Sequence, residues 1–342
     1  MTVLYIIITA VFVTGITWLL VGYSFKLSLR YKLLDHPNGR SSHTQTTSLG
    51  AGIGVVATVL PAWLFMYFLL PPQNKSFEVI RWLIIICAII LTVVSFLDDL
   101  RDLSPISRLL LQSGAVIACI EFLPGPVFQG LIGAIPDTIL SVVIWIWFIN
   151  LFNFMDGIDG IAGIQTLSIG LGIYIIGAIN MPFDASHGQA LVLAAAAIGF
   201  LAWNWHPARI FLGDVGSIPM GFLVGWLLLN LASNGFWQAA LILPFYYLVD
   251  STLTLIKRIM KGMVVWQPHK EHFYQVAVSR GRSHSQVSSA VGIANVALVC
   301  LALFSTMPST SFLLKWILIG IAAIVVGALL AWMVIGGQKE TT

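Results

Sequence analysis

The chain of 342 residues is 58% hydrophobic and only 9% charged, with a mean hydropathy of +0.93. A soluble domain carries about 25% charged residues, so this composition excludes an ordinary aqueous globular protein and indicates a polytopic membrane protein. The formal net charge of +3 is too small to predict a partner. The three cysteines, Cys87, Cys119 and Cys300, all lie in apolar segments, and their spacing predicts neither a disulfide nor a metal site.

Eleven apolar segments are predicted to cross the membrane as helices, because the alternating strands of a barrel are absent. In chain order they are 2–22, 49–70, 82–97, 107–122, 138–152, 163–180, 188–205, 216–232, 236–256, 289–306 and 312–335. The first basic residue is Lys26, so the first segment is predicted to be a retained span and not a cleaved signal peptide. Residues 1–342 are therefore expected to form a single all-α transmembrane domain.

The basic residues predict the orientation of these spans. When the loops are assigned alternately to two sides, Lys75, Arg81 and Lys315 fall on one side and the other 14 of the 17 Lys and Arg residues fall on the opposite side. The side rich in basic residues is predicted to be cytoplasmic, with the N-terminus outside and the C-terminus inside. The longest polar stretch, 257–288, is then a cytoplasmic loop.

Four polar motifs lie in loops that this alternation places on the predicted cytoplasmic side. They are FLDDLRDLSP (96–105), NLFNFMDGIDG (150–160), NWHPARIFLGDVGS (204–217) and PHKEHFYQ (268–275). Adjacent carboxylates such as Asp98 and Asp99 raise one another's pKa unless a cation intervenes. The glycines after Asp156 and Asp159 let the backbone approach a ligand closely. Taken singly, each motif is also typical of a solvated helix end, a turn or a polar loop.

Taken together, the motifs indicate a site built from oxygen ligands, basic residues and glycines. Asp214 precedes an apolar helix whose first backbone amides favour an anion. His269 and His272 stand at i and i+3, whereas the zinc pattern HExxH uses i and i+4, and no cysteine is near. Mg²⁺ is held by carboxylates and substrate phosphates, so the sequence predicts phosphoryl transfer between a water-soluble phosphate substrate and a lipid phosphate. The 257–288 loop is expected to complete this site.

These motifs, in this order, resemble those of the polyprenyl-phosphate N-acetylhexosamine-1-phosphate transferases, over nearly the whole chain. The pair NFMDGIDG and HPARIFLGDVGS is the most specific part, and LDHPNGRSSH (34–43) resembles the branch that starts O-antigen and related surface polysaccharides. The resemblance implies a bacterial inner-membrane enzyme, active on the cytoplasmic face, that moves a sugar-1-phosphate from a UDP-N-acetylhexosamine to undecaprenyl phosphate and releases UMP. It implies Mg²⁺, with Mn²⁺ as an alternative ion, is compatible with a homodimer, and suggests no nucleic-acid partner.

The resemblance also implies roles for individual residues. Asp214 is expected to be the main Mg²⁺ ligand. Asp98, supported by Asp99, is expected to deprotonate or orient the lipid phosphate and to contact the metal. His272 is expected to be the catalytic histidine of the last loop. The residues expected to form the catalytic wall near the metal and to bind the nucleotide and its phosphates are Asn150, Asn153, Asp156, Asp159, Asn204, Phe211, Arg258 and His269.

Two departures from the family pattern limit which reaction and which site residues the resemblance implies. The sequence HKEHF stands where the muramoyl-pentapeptide enzymes carry three consecutive histidines, which argues against synthesis of peptidoglycan lipid I. The segment TQTTSLGAG (44–52) lacks the usual proline and the full glycine run, which weakens its assignment to the nucleotide site. The sugar stays open among N-acetylglucosamine, N-acetylgalactosamine and their 6-deoxy relatives.

A secondary transporter is the rival from another class, because eleven spans fit it and Asp250 lies inside an apolar segment. Transporters place ionisable residues near the midplane between repeats, whereas the acids here collect at one interface. Asp250 fits equally well as a helix-packing residue paired with Lys257 or Arg258. A non-catalytic scaffold is the last alternative, and the intact set of acids argues against it.

Overall fold

The computed structural model describes residues 3–35, 46–69, 75–101, 103–181, 185–264 and 269–335. Helices α1 to α13 are Val3–Tyr31, Ala51–Leu69, Lys75–Arg101, Pro105–Ile120, Ala134–Phe154, Ile161–Asn180, Ala185–Asn204, Asp214–Leu231, Trp237–Ile242, Phe245–Met260, Phe273–Ser279, His284–Ser305 and Phe312–Ile335. Three short strands, β1 (Leu34–Asp35), β2 (Thr47–Leu49) and β3 (Ile210–Phe211), accompany them. The predicted class, an all-α polytopic membrane protein, is confirmed.

Nine helical segments in the described part of the chain are long and apolar enough to cross a membrane, and Pro105–Ile120 is a shorter apolar helix. The count of eleven spans and their orientation stay predictions. The expected segment 236–256 is divided, because α9 ends at Ile242 and α10 starts after Pro244. Proline has no backbone N–H to donate and disfavours helical geometry at the residue before it, so the helix breaks there.

The polar motifs are more helical than the sequence predicts. Asp98 and Asp99 belong to the last turn of α3, although the apolar segment was expected to end at residue 97. Asn150 and Asn153 likewise lie in the last turns of α5, and the predicted loop 257–288 contains α11. Hydropathy marks the part of a helix that suits the hydrocarbon, whereas the backbone hydrogen bonds of the helix continue into the polar region.

Contacts between loops gather the four motifs at one end of the bundle, which is called the acidic end below and carries Asp98, Asp156 and Asp214. The strands lie near this end, with β1 antiparallel to β2 and β2 parallel to β3. Other contacts close the opposite end: Arg81 with the Tyr67 carbonyl at 3.1 Å, Gln129 with the Ala232 carbonyl at 2.8 Å, and Asn180 with Thr306 at 3.2 Å. Residues 36–45, which hold most of LDHPNGRSSH, lie outside the described part.

Helix α8 lies at the centre of the bundle and packs against α5. The Trp145 ring stacks on the Phe222 ring at a centroid distance of 4.9 Å, and its Nε1 donates to the Phe222 carbonyl at 3.0 Å. Gly221 and Gly225 allow this approach, since a Cβ at either position would press against α5. The close pairing brings the end of α5 and the start of α8 together at the acidic end.

Candidate active site

Two aspartates from distant parts of the chain share one guanidinium. Arg108 Nη1 donates to Asp98 Oδ2 at 2.9 Å and to Asp214 Oδ2 at 3.3 Å. Helix α4 begins at Pro105 with Ser104 as its cap, which places Arg108 at the end of the first turn, close to the end of α3. Asp98 also accepts the Leu103 amide at 2.7 Å and is buried, whereas the Arg108 side chain is 37% exposed. The guanidinium can therefore reach a ligand.

Asp99 faces the first residues of α8. Its Oδ2 accepts the Val215 backbone amide at 3.4 Å. The residue before Asp214 is Gly213, whose φ of +72° is rarely adopted by residues with a side chain, so this glycine lets the chain turn sharply into α8. Asp98, Asp99 and Asp214 are thus brought together as the sequence predicted, although they come from α3 and α8.

The amides of α5 complete one wall of the cluster. Asn153 hydrogen-bonds to Asp214 and accepts the Ser217 hydroxyl at 2.6 Å. Asn150 stands one helical turn earlier on the same face and donates to Gln112 Oε1 at 2.7 Å. Asn153 therefore contacts the acid cluster directly, and Asn150 connects α5 to α4.

Asp156 follows α5 and lies close enough to the acid cluster to be repelled by its negative charges. Burial raises the pKa of Asp156 well above its usual range, and the negative charges of Asp214 and Asp159 raise it further. A carboxyl in this position binds a proton unless a cation offsets its neighbours. Asp156 is therefore poised to gain charge when a metal ion or a cationic group enters.

Asp159, three residues later, has a different environment. It is buried between His206 Nδ1 at 2.6 Å and His284 Nδ1 at 2.9 Å, and it accepts the Ala208 amide at 3.1 Å. Burial raises the pKa of Asp159, but the hydrogen bonds from His284, His206 and Ala208 outweigh it, so this pKa lies below its usual range. The two N···O distances are hydrogen-bond lengths, so hydrogen bonding accounts for the cluster without a metal ion.

Asn204 and Phe211, two of the residues expected to bind the nucleotide, differ in their exposure. Asn204 is 1% exposed, accepts the Gly160 amide at 2.9 Å and donates to the Ile210 carbonyl at 3.0 Å. These bonds join the 155–160 loop to β3, so Asn204 holds the backbone of the site. Phe211 is half-buried in β3 and pairs with Leu49 of β2.

His272 caps α11 and is tied to α10. Its Nδ1 lies 3.2 Å from Asp250 Oδ1, and its ring stacks between His269 at 4.9 Å and Tyr274 at 5.7 Å. The Tyr274 hydroxyl donates to the Phe154 carbonyl at 2.8 Å. The segment that carries His269 and His272, called the histidine loop below, is thereby fastened to the end of α5, next to the acid cluster.

Arg258 is 2% exposed and is already paired. It donates to Glu271 and, from Nη2, to the Val264 carbonyl at 2.9 Å. Its expected role as a diphosphate clamp would require these bonds to open. His269 is half-buried, and burial, together with the charges of His272 and Arg258, lowers the pKa of His269 to about 4.

Sequence reasoning did not assign Arg108, Ser217, His206 or His284 to the site. Arg108 had a usable signal, because a lone cation one turn after a capped helix start stands near the preceding acids. His206 and Ser217 lie inside the motif NWHPARIFLGDVGS but received no role, whereas His284 lies outside the motifs and carries no local signal. Ser217 meets Asn153 across 64 residues, and His284 meets Asp159 across 125.

The carboxylates fit the expected divalent cation. Asp98, Asp99, Asp156 and Asp214 offer oxygen atoms only, which is the ligand set that Mg²⁺ prefers. Two of them stand in the last turn of α3, where the helix dipole is also negative. Arg108 is the one described cation that forms an ion pair with this group of acids. A bound cation would relieve the remaining repulsion.

Comparison with known proteins shows what this chain is similar to. Residues 81–232 match the model of glycosyl transferase family 4. A probable undecaprenyl-phosphate N-acetylglucosaminyl 1-phosphate transferase of Bacillus subtilis (strain 168) is 28% identical over 297 residues, which cover 81% of this chain and 79% of that protein. The decaprenyl-phosphate N-acetylglucosaminephosphotransferase of Mycolicibacterium smegmatis is 25% identical over 305 residues, covering 79% and 74%.

A third relative is the undecaprenyl-phosphate alpha-N-acetylglucosaminyl 1-phosphate transferase of Escherichia coli (strain K12). It is 24% identical over 326 residues, which cover 89% of this chain and 84% of that protein. All three similarities extend well beyond the matched region 81–232. The family predicted from the motifs is thereby confirmed, and the chain is related to the polyprenyl-phosphate N-acetylhexosamine-1-phosphate transferases, with glycosyl transferase family 4 as the matching family model.

Proposed function

We propose that this protein transfers a sugar-1-phosphate from a UDP-N-acetylhexosamine to undecaprenyl phosphate, giving undecaprenyl-pyrophosphate-sugar and UMP. The observation that carries the proposal is the convergence of Asp98, Asp99 and Asp214 around Arg108 at one end of a membrane bundle. The names of the relatives support the same general reaction.

In a direct transfer, an oxygen of the lipid phosphate attacks the β-phosphorus of the nucleotide sugar; transfer in two steps through an enzyme intermediate is the alternative. The bond from that phosphorus to the bridging oxygen breaks, and UMP carries the electron pair away. Asp98 holds Arg108, whose partly exposed guanidinium suits a phosphate. Asp98 thereby orients the lipid phosphate, and Asn153 forms the adjoining wall.

A divalent ion fits the remaining carboxylates. Asp214, with Asp98, Asp99 and Asp156 nearby, would hold Mg²⁺ or Mn²⁺. When bound, the ion would neutralise the diphosphate charge that grows during transfer. His272 and His269, fastened beside α5 by Tyr274, stand as phosphate contacts from the loop 257–288. Asp159 and Asn204 brace the loops of the nucleotide wall, to which Phe211 and Asn150 belong.

The proposed location is the bacterial inner membrane, with the acidic end facing the cytoplasm, where UDP-sugars are made. The proposed pathway position is the first membrane step of O-antigen or related surface polysaccharide synthesis, and a homodimer is compatible with it. In a Cys-free background, cysteines at the exposed Ser104 and Ser279 should react only after permeabilisation, whereas one at Ser309 should react in intact spheroplasts. The opposite labelling pattern would reject this orientation.

The position of Asp250 argues against the transporter alternative, because an acid inside an apolar segment was the main support for it. This residue is fully buried and bound to the histidine loop, so it does not line a path through the bundle. Synthesis of peptidoglycan lipid I stays less favoured, because the chain has HKEHF in place of three consecutive histidines.

The experiment that tests the proposal uses purified protein with undecaprenyl phosphate, Mg²⁺ and a panel of UDP-sugars. We expect UMP release with at least one UDP-N-acetylhexosamine, and the responding sugar identifies the substrate. Absence of UMP release with every sugar, in the presence of Mg²⁺ or of Mn²⁺, would reject the function. Uptake of a labelled solute by proteoliposomes would favour the transporter instead.

A further inference from the structure

Asp250 lies inside α10 with 0% of its surface exposed, and it is surrounded by hydrogen-bond donors. Its carboxylate is contacted by His272 Nδ1 at 3.2 Å, Phe273 N at 3.1 Å, Tyr274 N at 3.4 Å, Tyr246 OH at 3.3 Å and Thr254 Oγ1 at 3.3 Å. A buried carboxylate is costly unless such donors satisfy it. Three of the five donors belong to the start of α11, so Asp250 connects α10 to the histidine loop.

Two of these donors are backbone amides in the first turn of α11. The first amides of a helix have no partner within the helix. Phe273 N uses Asp250 Oδ1 and Tyr274 N uses Asp250 Oδ2, so both carboxylate oxygens are engaged. The two bonds fix where α11 starts and therefore where His272, its N-cap, is placed.

The third contact concerns the position of the proton on His272. An ionised carboxylate only accepts hydrogen bonds, so a ring nitrogen facing it must carry a hydrogen. With Nδ1–H directed at Asp250, the other nitrogen, Nε2, is the one left for a ligand. A buried aspartate orients a catalytic histidine in the same way in hydrolase triads.

We propose that Asp250 is a positioning residue for the transferase reaction, which sets the tautomer of His272 and anchors α11 so that the unprotonated Nε2 of His272 faces the substrates and accepts a hydrogen bond from a protonated oxygen of the lipid phosphate. This inference rests on the proposed function. It gives Asp250 a role unrelated to ion movement and separate from the carboxylate cluster of Asp98 and Asp214. It also explains why an acid lies within an otherwise apolar segment.

The chain provides a matched control in Asp137, at the start of α5. This aspartate is 5% exposed and accepts two backbone amides, Val127 N at 3.0 Å and Phe128 N at 2.9 Å. It therefore anchors a loop as Asp250 does, but with no histidine beside it among the described residues. Asp137→Asn removes a buried charge of the same kind at the opposite end of the bundle.

The test compares Asp250→Asn, Asp250→Glu and Asp137→Asn in purified full-length protein. Asp250→Asn should lower kcat by about 10²-fold, the lower range for a misplaced proton-transfer group, with KM for both substrates little changed. Asp250→Glu should recover part of that loss, because it restores the carboxylate. Asp137→Asn should keep kcat while losing thermal stability. An Asp250→Asn variant that loses only stability, as the control does, would overturn the inference.

A second readout does not depend on activity. In substrate-free protein carrying ¹⁵N-labelled histidine, the His272 signal is assigned by its loss in His272→Gln. We expect the Nδ1–H tautomer in the wild type, and finding Nε2–H there would overturn the inference even if Asp250→Asn failed to fold. Wild-type protein that shows the Nδ1–H tautomer but releases no UMP would reject the proposed function alone.

Discussion

The hydroxyl of Tyr274 donates a hydrogen bond of 2.8 Å to the backbone carbonyl of Phe154, across 120 residues of sequence. This bond joins the first turn of α11 to the last residue of α5. The histidine loop and the NFMDGIDG motif are therefore held together by one buried phenol. Gly157 makes room for it, because a Cβ there would collide with the Tyr274 hydroxyl.

This contact predicts a double-mutant result. Gly157→Ala should displace Tyr274 and lower turnover, because the new methyl group would occupy the place of the hydroxyl. Tyr274→Phe alone should cost about 1 kcal/mol of stability through the lost hydrogen bond. In the double variant the closest contact, the one with the hydroxyl, is removed, so its turnover should exceed that of Gly157→Ala. UMP release by the four proteins measures the coupling, and simple additivity would contradict the prediction.

Neutralising either of the two carboxylates that share Arg108, Asp98 or Asp214, should disable the reaction. Asp98→Asn and Asp214→Asn are each expected to lower turnover by at least ~10²-fold, since each removes a group that orients or stabilises charge during transfer. Both substitutions keep the shape of the side chain, so the thermal unfolding midpoint should change little. A variant with near-normal turnover would remove that residue from its assigned role.

Arg108 and the metal ion are expected to compete for the same two carboxylates. Its guanidinium contacts Asp98 and Asp214, the carboxylates proposed to hold the ion. Arg108→Gln should therefore bind Mn²⁺ more tightly than the wild type in substrate-free protein, as measured by electron paramagnetic resonance. The same variant should turn over more slowly, because a phosphate contact is lost. Weaker Mn²⁺ binding by the variant would contradict the competition.

The metal requirement itself has a simple outcome. Activity should disappear with EDTA, return with Mg²⁺ or Mn²⁺, and not return with Zn²⁺, because the carboxylate cluster contains only oxygen donors. Asp137→Asn, which removes a carboxylate at the opposite end of the bundle, serves as the matched variant with an unchanged metal response. Full activity in metal-free buffer would reject the requirement.

His269 predicts a specific loss of stability in acid. The pKa of His269 is lowered to about 4, whereas an unfolded histidine titrates near 6.5. Between these values the unfolded chain takes up the proton more readily, so stability falls as the pH drops from about 6.5 towards about 4. His269→Gln removes this titrating group. When the pH is lowered from about 7.5 to about 5, the unfolding midpoint of the variant should therefore fall less than that of the wild type. Equal falls would contradict the prediction.

The sequence predicts site residues well where their side chains belong to one local motif. The pairing of acids and glycines identified Asp98, Asp99 and Asp214, and the structure brings them together. The buried bracing was not predictable in this way. The sequence indicates an intramembrane functional acid or a partner of Lys257 or Arg258 at Asp250, but three of its five donors come from the start of α11, more than 20 residues away. Such partners depend on where a proline breaks the helix and on how helices pack.

The sequence also does not predict whether a candidate binding residue is exposed to a ligand. Arg258 and Asn204 have the right chemistry to bind a diphosphate and a nucleotide, but both are buried and already hydrogen-bonded. A motif identifies a type of side chain at a position. Only the surrounding packing decides whether that side chain faces a ligand or supports the backbone next to it.

The central claim is that phosphorus moves with the sugar, and the fate of a radiolabelled β-phosphate tests it most directly. Purified protein is given UDP-N-acetylhexosamine labelled at the β-phosphate, together with undecaprenyl phosphate and Mg²⁺, and the lipid phase is separated from the water phase. The account predicts label in the lipid product and unlabelled UMP in water, with neither formed by Asp214→Asn. Label retained on released UDP would mean that the sugar is transferred alone, and would contradict the phosphotransferase mechanism.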